Sequence, residues 1–108
     1  MNRIIGVTGL LLLAGCAKSP ESIAPSYVSD LNYQSLECKQ LAQEDARLTQ
    51  ALATASTQQK NARTNDMVGI ALIGLPVSSM SGDNIAPEIA RLKGEKEAIH
   101  RTMLAKRC

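Results

Sequence analysis

The chain contains no phenylalanine and no tryptophan, and only Tyr27 and Tyr33 carry aromatic rings. A thick globular core draws much of its buried area from aromatic side chains. Without them, a chain that is 44% hydrophobic has Ala, Leu, Ile, Val and Met to bury, which favours a thin helical assembly. Histidine occurs once, at His100, and cysteine three times, at Cys16, Cys38 and Cys108. That excludes the clustered Cys and His set of a structural zinc site, and no metal or other cofactor is expected. An excess of one charge is missing too. Twelve basic residues stand against ten acidic ones, a net charge of +2, so the basic stripe of a nucleic-acid binder is absent. There is no glycine-rich phosphate loop and no nucleophile–histidine–acid set. The acidic pairs Glu44/Asp45 and Glu95/Glu97 sit among Lys and Arg on helical stretches and read as solvated faces. His100 reads as a surface helix residue. Neither an enzyme nor a small-molecule site is expected.

What the chain does have begins at its N-terminus. Arg3 supplies a short positive region, and Ile4 to Leu13 is an uncharged, mostly apolar run. Small residues follow, in the order expected of a secretory signal peptide. The run is too short for a transmembrane helix, which needs about 20 apolar residues. It ends in LLLLAGCAKS, residues 10–19, with Leu13, Ala14 and Gly15 directly before Cys16.

That ending resembles the lipobox of bacterial lipoproteins. In that family the thiol takes a diacylglycerol, the peptide is cut before the cysteine, and the new amine is acylated. The physical chemistry agrees: small Ala14 and Gly15 fit a peptidase cleft, and several acyl chains anchor stably where one binds only marginally. The resemblance implies a lipid-anchored protein of the bacterial cell envelope, with residues 1–15 as signal peptide and Cys16 as the lipidation site. Its membrane partner is reached through the anchor. In the family an Asp after the cysteine retains the protein at the inner membrane. Ala17 and Lys18 stand here, which points to the periplasmic face of the outer membrane.

With Cys16 used by lipid, Cys38 and Cys108 form an even pair in an oxidising compartment. An intramolecular disulfide is expected, and a bridge to another chain through Cys108 is the alternative. Closing a loop of about 70 residues contributes roughly 4 kcal/mol in the chain-entropy model.

Residues 16–34 include Pro20, Pro25 and several serines, and read as a flexible tether. Residues 35–108 read as a helical hairpin. Ser35 can cap a first helix, in which Leu41, Leu48, Ala55 and Ala62, with Cys38 and Leu52, form a seam of steps 3 and 4. Asn65 or Asp66 reads as its stop. A second helix over 86–106 carries Ile89, Leu92, Ile99 and Met103, with Pro87 and Glu88 in its first turn. Gly94, which lowers helix propensity, suggests a close approach of the two helices. Pairing Cys38 with Cys108 sets the register and places Asp45 opposite Arg101 as a cross-helix ion pair. The expected fold is all-α: an antiparallel two-helix hairpin with an apolar tip, preceded by signal peptide and tether.

The tip, MVGIALIGLPV at 67–77, is the most apolar part of the chain after the N-terminal run. Met67, Val68, Ile70, Leu72, Ile73 and Leu75 are its candidate contact residues. Either it packs upon itself as a small core, with 66–75 a short helix folded back, or it stays exposed and meets a partner or a membrane. The layout of an early Cys38, an apolar middle, IARLKGE at 89–95 and a terminal Cys108 is similar to that of small helical-hairpin lipoproteins of bacteria. That likeness implies the hairpin and no particular activity. The functional expectation is an interaction or scaffolding module for an envelope protein partner. The alternatives are a membrane-active protein inserting residues 67–77 and an accessory part of a mobile element's transfer or exclusion system.

Overall fold

The computed structural model describes residues 16–108; Leu13, Ala14 and Gly15 of the expected cleavage motif lie outside the described residues. The fold is all-helical. Helix α1 spans Cys38–Ile73, the short helix α2 spans Val77–Met80, and α3 spans Ala86–Lys106. α1 and α3 pack as an antiparallel hairpin 57 Å in its longest dimension. That length is close to the ~54 Å that 36 helical residues occupy at 1.5 Å each.

Local sequence explains the helix ends. α1 starts three residues after the expected Ser35 cap, at a capping box: the Glu37 side chain accepts from the first turn, and the N–H of Glu37 donates to Gln40 Oε1 at 2.9 Å. This satisfies donors that would otherwise be left open. At the other end Gly74 is left-handed, with φ 77°, a conformation that costs glycine nothing. Its N–H donates to the carbonyl of Ile70, and Pro76 follows closely, which stops the helix. Asp66 does not stop it. α1 continues past it for two turns, so the expected separate helix over 66–75 is instead the last part of α1.

The seam repeats every seven residues. Leu41, Leu48, Ala55, Ala62 and Gly69 of α1 are buried, and so are Ile89, Leu92, Ala98, Ile99 and Thr102 of α3. Cys38 and Cys108 are disulfide-bonded and staple the hairpin's open end. The N–H of Ile85 donates to Gln59 Oε1 at 2.8 Å, so α3 begins level with Gln59. The last 14 or so residues of α1 therefore overhang α3 by about 20 Å, with α2 folded back against them.

The segment before α1 differs most from expectation. Residues 16–34, expected to be a flexible tether, belong with 35 and 36 to a strap laid along the hairpin, parallel to α3. Ile23 and Tyr33 are buried and join the core formed by Leu41, Leu48, Ile89 and Ile99. The N–H of Ser26 donates to the carbonyl of Ala90 at 2.9 Å. Lys93 Nζ donates to the carbonyls of Pro20 and Ile23 at 2.6 and 2.7 Å, and Lys106 Nζ to that of Leu36 at 2.6 Å. Two prolines disfavour an α-helix but not a strap of extended chain and single 3-10 turns at Pro20–Ser22 and Asp30–Asn32, and the thin hairpin leaves a groove that Ile23 and Tyr33 fill.

The strap also explains two corrections to the register. Gly94 does admit a close backbone, but it is the strap's: a Cβ there would collide with the carbonyl oxygen of Ser26. Arg101 does not meet Asp45. It turns to the strap, donating to Asp30 Oδ1 at 2.9 Å and to the carbonyl of Val28 at 2.8 Å, with its guanidinium 5.8 Å from the Tyr27 ring centre. Asp45 is met instead by His100 Nε2 at 2.9 Å and Lys96 Nζ at 3.4 Å.

Candidate functional site at the loop end of the hairpin

Three elements meet at the loop end: the start of the strap, the overhang of α1, and the turn containing α2. Asp66 organises them. It is 1% exposed, and its carboxylate accepts from the N–H of Ala17 and the N–H of Ser79, each at 2.9 Å, and from the Ser79 hydroxyl. Burial alone would raise the Asp66 carboxyl's pKa, but the bonds from Ser79, Ala17 and Ser78 outweigh it and hold it below the ordinary aspartate value. Each bond favours the charged form, so the buried acid stays ionised. Gln59, also fully buried, completes the junction: its amide donates to the Lys18 carbonyl at 3.0 Å and to Asn84 Oδ1 at 2.9 Å.

The consequence for Cys16 is positional. It is half-buried, and its neighbour Ala17 is hydrogen-bonded to Asp66. The start of the strap is thus fixed beside the overhang and the first residues of α3.

Beyond Asp66 the surface is apolar. Met67, Val68, Ile70, Leu72, Ile73 and Leu75 are all exposed, Leu72 at 78% and Ile73 at 64%. They do not pack on themselves as a small core. The only helical residue in this stretch that the turn covers closely is Gly69, against which the Leu75 carbonyl and the Val77 side chain rest. Successive residues of a helix step by about 100°, so 67, 68, 70, 72 and 73 point to every side of α1 except the one at Gly69 that the turn covers. Val77 and Met80 extend the patch onto α2 and the turn. An open groove of about 390 Å³ lies between the two helices, lined by Val68, Leu72, Ile73 and Val77 among others. No Asp, Glu, Lys, Arg or His occurs from Met67 to Gly82. Lys18, Lys60 and Arg63 are exposed just below, with Lys60 Nζ 3.4 Å from Glu21.

Sequence reasoning had no sign of Asp66 and Gln59 as junction residues. The available signal was a Gln and an Asp at 59 and 66, seven-residue steps on from Cys38, Asp45 and Leu52. Among the described residues no helix is long and apolar enough to cross a membrane. His100 is exposed beside Asp45 at the stapled end. Comparison of the chain with protein-family models, with curated proteins and with solved structures finds no match.

Proposed function

We propose that the protein is a lipid-anchored component of the bacterial cell envelope, acylated at Cys16, whose stapled hairpin serves as an interaction or scaffolding module at the membrane. The observation that carries this reading is the bond from the Ala17 N–H to Asp66. The residue following the lipidation position belongs to a folded body, so acyl chains on Cys16 would hold the hairpin itself and not a loose leash. The LLLLAGC ending supplies the chemistry, and the Cys38–Cys108 disulfide suits an oxidising compartment. Ala17 and Lys18 favour the outer membrane. The exposed polar flank of α1, with Gln43, Gln50 and Gln58, is the surface offered to a protein partner.

Intact mass of the membrane-extracted protein, with and without reductant, tests the reading. The expected species starts at Cys16, is heavier by its acyl groups, and gains two hydrogens on reduction. Cys16→Ser is expected to release the protein from the membrane. A chain retaining residues 1–15 with no added lipid would refute the anchor.

A further inference from the structure

We propose that the loop end of the hairpin, residues 67–80, is seated in the surface layer of a phospholipid bilayer, with the stem standing away from it. This rests on the lipid anchor at Cys16 but adds a second, non-covalent contact with the same membrane.

The distribution of the apolar residues identifies the occupant. A helix that docks in a protein groove presents one apolar stripe and keeps its other face polar. From Met67 to Ile73 the α1 overhang is apolar on every side that α2 and its turn leave exposed. A fluid solvent such as lipid covers all sides at once, whereas one partner covers a single face. The 16 residues from Met67 to Gly82 carry no charge. Of the two acids that flank them, Asp66 is buried and bonded, and Asp83 is exposed and accepts from the Ser81 hydroxyl at 3.2 Å. Lys18, Lys60 and Arg63 are exposed below them, Lys60 beside the exposed Glu21, where long cationic side chains reach anionic headgroups.

Backbone bookkeeping also fits. Lipid tolerates few unbonded N–H and C=O groups, and the turn closes several of its own. The N–H of Gly74 donates to Ile70, and those of Met80, Ser81 and Asp83 donate to the carbonyls of Pro76, Val77 and Ser78. Depth is the last constraint. From Asp66, where the start of the strap is bonded, α1 runs seven more residues, about 10 Å. Interfacial elements bury their apolar parts about 5–10 Å deep. An anchor beside Asp66 would let the tip reach that depth and no further.

The experiment uses the absence of native tryptophan. Leu72→Trp puts one reporter on the tip and Leu104→Trp puts one at the stapled end; both positions are about 80% exposed (78% and 80%). The lipidated protein is reconstituted into vesicles of phosphatidylethanolamine and phosphatidylglycerol with brominated acyl chains, which quench nearby tryptophan. Mass of the same sample reads the acyl groups, and circular dichroism with the disulfide reads the fold. The expected result is strong loss of Leu72→Trp emission with Leu104→Trp unaffected. Acylated, folded protein with Leu72→Trp unquenched would overturn the inference and leave the anchor standing. A blue-shifted but unquenched signal would do the same and point to a second copy covering the tip. Equal quenching at both positions would mean a rod lying flat, against the proposal. A folded sample with no acyl groups would remove the anchor reading, and this inference with it.

Discussion

The carbonyl oxygen of Ser26 occupies the space that the Cβ of any residue other than glycine at position 94 would need. Ser26 cannot easily withdraw, because its N–H is bonded to Ala90 one turn earlier. Gly94→Ala therefore sets two effects against each other. Alanine gains about 1 kcal/mol of helix propensity, while a collision with backbone costs about 1–3 kcal/mol. The collision is expected to win, lowering the melting temperature and speeding hydrogen exchange at the Ser26 amide. A rise in melting temperature would show that the strap is not seated there.

If the strap is part of the core, truncating its buried residue must behave like a core substitution. Ile23 is 6% exposed and Tyr27 is 86% exposed. Ile23→Ala is expected to cost about 2–4 kcal/mol, and Tyr27→Ala less than about 1 kcal/mol, the ring-stacked Arg101 being its main contact. Urea denaturation of the two variants checks the contrast. Equal, small effects would restore the tether.

Acidification tests the Asp66 junction. Its pKa is depressed in the folded chain, so its contribution to stability is complete above the ordinary aspartate value. That contribution is lost as pH falls from there through the depressed value. Exchange of the Ala17 and Ser79 amides is expected to rise over that window. Asp66→Ala removes the acceptor for both N–H groups and the Ser79 hydroxyl, an expected loss of about 2–4 kcal/mol at neutral pH from orphaned donors. Asp66→Asn is expected to flatten the acid response.

The staple is tested by Cys38→Ser or Cys108→Ser. Loss of the cross-link is expected to cost about 4 kcal/mol. The damage should concentrate at the open end, where Lys106 holds Leu36, and spare the Asp66 junction. Amide exchange mapped along the chain reads the difference.

The hairpin was legible because its cause is periodic. Leu41, Leu48, Ala55 and Ala62 repeat every seven residues, α3 begins and ends where Pro87 and the basic Lys106 suggest, and the Cys38–Cys108 pairing follows from number and compartment. The strap was not legible because extended chain broken by two short 3-10 turns has no period. Ile23 and Tyr33 look like isolated apolar residues until a groove exists to receive them. Gly94 carried the clue, but one glycine does not say which backbone comes close. Asp66 resembles a helix stop in sequence, because aspartate favours helix ends; only tertiary donors from Ala17 and Ser79 make it tolerable inside. The tip's exposure depended on how far α1 runs past α3. That length follows from the Gln59–Ile85 junction and not from the apolar run itself.

The strap has a consequence for the order of events during synthesis. Its holders on α3 lie some 70 residues later in the chain, from Lys93 bonding Pro20 to Lys106 bonding Leu36. Residues 17–36 leave the ribosome long before α3 exists, and although α1 offers Asp66 and Gln59 to their start, the rest of the strap lacks its α3 partners until almost the whole chain has followed. Loop closure over such separations is slow compared with forming a single helix. Cys16 therefore lies on an open chain early in synthesis. Ala17 then closes onto Asp66 and the strap onto α3, so the early openness of Cys16 and its later half-burial both follow from the topology.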